Sequence, residues 1–235
     1  KILKNNFYIK KLITTTLLNI AIFQGVVLGL IILKSSLFKS NSNKYLAYLI
    51  FTLSIILLNH VFEIEEAFTP YPFLLFIDHI EWIFLIPAFL FLFIINRIDD
   101  SIKSKQKYYL CFVPFAYSAA FTIICDLDRV AGIYTISGSA ISLINILGLV
   151  HLTLAVTFIP FMSIYSYFMI RHLKDSQEKK WIITLLITIS SLLLAFIITY
   201  LAGLILQRPG FICNICNSLD SLYRHLQIQT SQRQR

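Results

Sequence analysis

Asp78, His79 and Glu81 stand inside an otherwise apolar stretch, residues 73–95, and are the side chains of this chain best placed to do chemistry. An ionisable group at bilayer depth costs on the order of a few kcal/mol, so it persists where it meets a partner, a water path or a ligand. On a continuous helix Asp78 and Glu81, three residues apart, share a face while His79 points elsewhere. Two neighbouring carboxylates can hold a proton, a cation or a polar ligand. His60 ends the preceding apolar stretch with Glu63 one turn later, and Asn145 and His151 begin a later stretch. A pocket lined by His60, Asp78, Glu81, Asn145 and His151 and open to one membrane face is therefore expected, with a small unidentified ligand, a proton or a metal as occupant. The bland alternative is that these groups pair with one another or reach interfacial water, fixing only helix register.

Other chemistry has little foothold. No HxxxH or HExxH spacing occurs, and Cys213 and Cys216 form a single CxxC with no second pair, so no resident metal or cofactor is expected. Cys111 and Cys125 complete a set of four cysteines that suggests no disulfide framework. Phosphate-binding glycine loops and a GxSxG nucleophile elbow are lacking. The chain is read as a non-enzyme, with a membrane-embedded enzyme as the least favoured alternative.

These side chains must be carried by helices in lipid. Six apolar stretches, 12–33, 45–62, 73–95, 108–124, 141–170 and 181–205, each meet or approach the roughly 20 residues that cross a ~30 Å hydrocarbon core. With no water there to satisfy amides, helices are the expected solution. The expected class is all-α: a polytopic transmembrane helical bundle with six spans at 12–205, a basic tail at 1–11 and a short polar tail at 206–235. A hydrophobic fraction of 57%, mean hydropathy of +0.76 and 14% charged residues exclude an ordinary soluble domain. The net charge of +8 comes from 20 basic residues scattered over connections and tails, so no direct nucleic-acid binding by this chain is expected.

The basic residues also orient the bundle. The first, third and fifth connections hold eleven Lys and Arg, the second and fourth only Arg129, which places the odd connections in the cytoplasm. Acidic residues mark the opposite side: Glu63, Glu65 and Glu66 in the second connection, Asp126 and Asp128 in the fourth. Both tails, with four basic residues each, oppose this assignment. A seventh span would bring the C-terminus inside. The Lys1–Lys11 region followed by an apolar run is read as a first span rather than a secretory signal, because the run is too long and lacks a small-residue cleavage site.

Gly25 and Gly29 form a GxxxG pair that lets a neighbouring backbone approach, within the chain or in a homodimer. Pro87, Pro114 and Pro160 fall inside the third, fourth and fifth spans, where each removes a backbone hydrogen bond; kinks are expected at all three. The fifth span is long enough to tilt, bend or project. Trp82, Trp181, Tyr71, Tyr108 and Tyr134 lie near span ends, as an interfacial belt requires.

Four local patterns carry a family resemblance: Phe23-Gln24-Gly25 followed by a Lys/Ser/Asn connection, Leu85-Ile86-Pro87, Phe112-Val113-Pro114-Phe115, and Lys179-Lys180-Trp181. Over residues 12–205 the chain resembles the N-terminal multi-span membrane region of bacterial AraC-type transcriptional regulators. There, about seven helices precede a cytoplasmic helix-turn-helix domain. The resemblance implies residence in the bacterial cytoplasmic membrane and signal reception passed to a DNA-binding output; it supplies no ligand or site residues. Related sensor regions of histidine kinases share such patterns, and a transporter or permease subunit is the alternative reading. The departure is after Ile205, where about thirty residues of Cys, Asn, Ser, Gln and Arg character stand in place of a further span and the output domain. The expectation is a truncated or frameshifted product.

Overall fold

The computed structural model describes residues 2–38, 40–98, 105–129, 138–171, 173 and 175–207. The tail 208–235 with Cys213 and Cys216, and residues 130–137 of the fourth connection with Tyr134, lie outside the described residues. Described residues form helices and turns with no strand: α1 (Ile2–Lys34), α2 (Asn41–Ile64), α3 (Leu75–Asp78), α4 (Leu85–Ile98), α5 (Val113–Arg129), α6 (Gly138–Ile170) and α7 (Ser176–Gln207). Six helical units are long and apolar enough to cross a membrane, so the protein is a multi-pass, all-α membrane protein. The basic tail expected at 1–11 is not separate, because α1 begins at Ile2.

The third unit, Pro72–Ile98, is the exception to continuity. It starts with a 3-10 turn (Pro72–Leu74), passes through one α-turn (α3), bends at His79 and Ile80, and resumes through a second 3-10 turn (Trp82–Phe84) into α4. The kink expected at Pro87 is displaced. Pro87 is the third residue of α4, where its missing N–H has little to lose, but its ring disfavours an α-helical carbonyl one turn earlier. That turn is the 3-10 segment. Pro114 likewise kinks nothing: it is the second residue of α5, following a 3-10 segment, Lys105–Phe112. Of the three, Pro160 alone lies in the interior of a helix rather than its first turn, and α6 runs on through it.

α4 is the axis of the bundle. Ile86, Leu90, Phe93 and Ile94 pack with Leu49 of α2, Ile159 and Ile170 of α6, and a stripe of α7 at Ile182, Leu186, Ile189, Leu193 and Ile197. On its other side Ala88, Phe91, Leu92 and Ile95 meet Cys111 and Met162. The α7 residues recur every three or four positions, one face of a helix. Lipid tails are as apolar as these side chains, so close packing and interhelical hydrogen bonds hold the helices together. Ser190 Oγ donates to Ser163 Oγ across α7 and α6 at 3.0 Å, and Tyr117 Oη to Leu147 O across α5 and α6 at 2.8 Å.

α1 lies outermost and packs on α2. Gly25 and Gly29 are the reason it can: a Cβ on Gly25 would collide with Ser54 Oγ, and one on Gly29 would come within 2.6 Å of the Phe51 ring. The glycine pair is thus used between helices of one chain. At the far end of this pair, Lys11 Nζ lies 3.3 Å from Glu65 Oε2 and Thr15 Oγ1 donates to Glu65 Oε1 at 2.8 Å. Glu65 is held there by the turn that closes α2, in which Ala67 N donates to Phe62 O and Glu66 N to Glu63 O. This is a Schellman closure, and Glu66 occupies its left-handed position with φ 56° where glycine is the usual residue.

One end of the bundle gathers Lys34, Lys44, Arg97, Arg171, Lys179 and Lys180; the other carries Glu63, Glu65, Glu66 and Asp126. At the basic end Arg97 Nε forms an ion pair with Glu178 Oε1, tying α4 to α7, and the Arg171 guanidinium lies over the Tyr167 and Phe168 rings. Trp181, at the same end, meets Phe93 edge-on at 6.0 Å.

Candidate functional site

A helix broken within the membrane frees carbonyls that no water can reach, so each needs a donor from elsewhere. The break in the third unit has them. Ile77 O accepts from Trp82 Nε1 at 2.8 Å and from Asn59 Nδ2 of α2 at 3.3 Å. His79 O accepts from Thr122 Oγ1 of α5 at 3.3 Å. The His79 amide still reaches Leu75 O, closing α3. Besides Trp82, the side chains that stabilise the break come from 18 and 43 residues away, so the apolar pattern around Asp78 gives no hint of it. Trp82, read from sequence only as an interfacial residue, turns out to be part of the break, its ring tilted against Phe115 at 5.8 Å.

The break separates the two carboxylates that a straight helix would align. Asp78 ends α3, whereas Glu81 precedes the 3-10 turn that leads into α4, with backbone φ −78° and ψ 74°. The shared helical face expected for this pair is therefore absent. Glu81 instead sits at the positive end of the Trp82–Ile98 segment, where a helix dipole favours a carboxylate.

Two imidazole–carboxylate pairs flank the break. His79 Nδ1 lies 2.9 and 3.0 Å from the two carboxylate oxygens of Asp126, a bifurcated contact that binds the third unit to α5. Asp126 is buried while His79 is 43% exposed, so the imidazole is the member open to the surroundings. Asp126 was expected in a connection; it belongs to the last turns of α5, which extends past Ile124 to Arg129. The second pair, Glu81 Oε1 and His151 Nε2 at 3.8 Å, links the α4 half of the third unit to α6. That separation exceeds a direct hydrogen bond, leaving room for a shift or a bridging water. His151 is wedged between aromatic rings, 5.9 Å from Phe84 and 5.8 Å from Phe121, and its Nδ1 is buried without a protein partner.

Of the five residues expected to line one pocket, the structure brings Glu81 and His151 together. Asp78 is half-buried close by, with the His79 imidazole and the carboxylates of Glu63, Glu81 and Asp126 as its electrostatic neighbours. His60 turns away: it is exposed and pairs at 3.1 Å with Glu63 on its own helix, which places Glu63 in α2 rather than in the connection. Asn145 is exposed on α6. Asn59, Thr122 and Asp126 take their places around the break, together with His79. A polar residue standing before the end of an apolar span was the available signal for Asn59 and Thr122.

Around Glu81 and His151 the lining is otherwise apolar, from Ile83, Leu152, Ala155, Val156 and Ile159, and the space enclosed is about 20 Å³, enough for one water. Among the described residues no group of three or more His, Cys, Asp or Glu side chains converges as a metal site. What this arrangement can do is accept or release protons, or exchange a pairing, at a weak point of the central helix.

Against known protein families, characterised proteins and solved structures, the chain shows no match.

Proposed function

We propose that this chain is the signal-receiving membrane domain of a bacterial regulator, resident in the cytoplasmic membrane with its basic end in the cytoplasm. The observation that carries the proposal is the break at His79–Glu81, where one imidazole–carboxylate pair ties the outer piece of the third unit to α5 and another ties the inner piece to α6. A proton or small polar ligand that alters either pair changes which helix the third unit follows. α4 then delivers that change to the basic end, where Arg97 meets Glu178 of α7. A bistable element biased by a site at one end is the minimum a receptor needs. The AraC-type patterns at Phe23-Gln24-Gly25, Leu85-Ile86-Pro87, Phe112-Val113-Pro114-Phe115 and Lys179-Lys180-Trp181 support a transcription regulator as the owner of such a domain.

A second reading, a transporter or permease subunit, is favoured by the same break, because discontinuous spans line the sites of many transporters. It lacks a second broken span in a corresponding position among the described residues, and the space at Glu81 and His151 takes one water rather than a solute.

The two tryptophans allow a direct test. With Trp82→Phe, Asn59 still caps Ile77 O and Trp181 alone reports on the basic end; with Trp181→Phe, Trp82 reports on the break. Protein in lipid nanodiscs is titrated across about pH 5 to 8, where imidazole changes charge. Signal reception predicts that Trp181 emission changes along with Trp82 emission, and that His79→Gln or His151→Gln abolishes the Trp181 response. A Trp82 response with Trp181 silent overturns it. Proton-driven accumulation of a defined solute by sealed vesicles would establish the transporter instead.

A further inference from the structure

A second cavity lies at the basic end, away from the His79 break. It measures about 460 Å³, within the ~300–1,000 Å³ of small-molecule sites. Its first wall is one face of α2: Asn41, Lys44, Tyr45 and Tyr48 line it at the i, i+3, i+4, i+7 spacing that puts side chains in a row. The facing wall is built from two elements. α4 contributes Phe89 and, two turns on, Asn96. The 3-10 segment contributes Tyr109 and Phe112, three apart and so nearly eclipsed, their rings stacked at 6.3 Å with 22° between planes.

Rings therefore meet around the space from three sides. Phe89 lies 5.6 Å from Tyr48 and 5.3 Å from Phe112, and Tyr45 Oη approaches Tyr109 Oη at 3.3 Å across the opening. The charged lining is of one sign. Lys44 is the cation, the lining holds no carboxylate, and Lys44 has no ion pair among the described residues. The Asn41 amide and the Tyr48 hydroxyl add hydrogen-bonding groups, whereas Asn96 Nδ2 already donates to Leu92 O. The cavity also opens beside the N-terminus of the 24-residue α2, whose partial positive charge adds to that of Lys44; Ser40 caps only one of its free amides, Asn43 N.

We infer that this cavity binds an amphiphilic anion, a phosphate-bearing head held by Lys44 and its neighbours with an apolar body among the rings of Tyr48, Phe89 and Phe112. Lys44 is exposed yet lines the cavity, so its ammonium is within reach of an anion entering from outside, and the rings beyond it offer nothing to a fully hydrated ion. A phosphate on an apolar body has two sources, an anionic phospholipid of the adjoining leaflet or a soluble organic phosphate. The site stands independently of the signalling proposal, whose receiving imidazole–carboxylate pairs lie away from this end of the bundle.

The test uses the whole chain in phosphatidylcholine nanodiscs. One arm titrates phenyl phosphate and follows binding by calorimetry; the other includes phosphatidylglycerol and counts retained lipid by native mass spectrometry. The expected result is saturable one-to-one binding of at least one probe, the arm that responds identifying the source. Lys44→Gln weakens it about tenfold or more, Lys44→Arg keeps it within a few-fold, and Lys34→Gln, a cation of the same end outside the cavity, leaves it unchanged. Should Lys44→Gln fail to assemble, Tyr48→Leu, which removes a 40% exposed ring from the wall, must weaken binding of the same probe. Absence of saturable binding by both probes, or equal losses from Lys44→Gln and Lys34→Gln, overturns the inference.

Discussion

Replacing Gly29 by alanine asks whether α1 and α2 are held by contact too close for a single methyl group. The added Cβ would lie 2.6, 2.8 and 3.1 Å from three atoms of the Phe51 ring, against the roughly 3.5–4.0 Å at which carbon atoms rest. The ring or the whole of α1 must then move by about 1 Å. Overpacking of this kind costs about 1–3 kcal/mol, and the better helix propensity of alanine returns up to about 1 kcal/mol. The net loss expected is about 0.5–2 kcal/mol, a factor of about 2 to 30 in the folding equilibrium. Gly25→Ala provides the contrast. Its Cβ meets the Ser54 hydroxyl, which can rotate away at the cost of its bond to Ile50 O, so its effect should be the smaller. Unfolding in mixed micelles by added dodecyl sulfate, followed by tryptophan fluorescence, measures both. A Phe51→Leu background should rescue Gly29→Ala, giving a coupling energy of about 1 kcal/mol in the double-mutant cycle. Alanine at 29 that is as stable as glycine, or a cycle with no coupling, would refute the close-packing argument.

The remaining predictions concern the break and the acidic end. Thr122→Val removes the donor to His79 O in a buried place and should destabilise by about 1–2 kcal/mol, whereas Asn59→Leu should be nearly neutral: Ile77 O keeps the Trp82 indole, and the unpartnered buried Asn59 Oδ1 disappears. Equal costs in a denaturation assay would contradict that account of the carbonyls. Glu66→Gly should stabilise by up to about 1 kcal/mol, since it relieves a left-handed residue in the turn after α2; a loss of stability would show that the Glu66 side chain matters more than its backbone. The hydrogen bond from Thr15, and then Lys11, hold the Glu65 carboxyl below its ordinary value of 4.5. A lowered folded-state pKa stabilises above the unfolded value and is lost as pH falls through the folded one. Cross-linking between α1 and α2 at the acidic end should thus weaken below about pH 4.5, and Glu65→Gln should make it independent of pH over that range.

The spans were legible in the sequence because lipid imposes a length and composition rule that needs no knowledge of neighbours. Residues 12–33 and 73–95 announce themselves by apolar run alone, and Gly25 and Gly29 by their spacing. The break was not legible. Nothing in Ile77-Asp78-His79-Ile80-Glu81 is a helix breaker, and the proline that disturbs the turn lies downstream at Pro87, itself in regular α-helix. Whether the chain leaves the α-helix there depends on whether donors wait for the freed carbonyls, and those donors, Asn59 and Thr122, are remote in sequence. Asp126 misled for a related reason. An acidic residue near a span end reads as a loop residue, and only the imidazole of His79 makes burial in α5 affordable.

The N-terminal lysines oppose the orientation that the connections give, and Lys11 shows one way the conflict resolves. Positive-inside counting treats each lysine as a free charge that resists translocation. Lys11 is not free: Glu65 lies 3.3 Å away and Thr15 completes the contact, all at the acidic end of the bundle. In the folded protein that pair is close to neutral, so Lys11 contributes little to the final preference of α1 for one side. The connection lysines and arginines have fewer such neighbours, because most of the acidic residues described lie at the opposite end; at the basic end Glu178 engages Arg97, and Asp175 accepts from the Gln177 amide. On the proposed orientation, the charges that set it and the charges that fasten α1 to α2 are therefore different residues. A Lys11→Ala exchange should loosen α1 while leaving the remaining spans oriented by their connections.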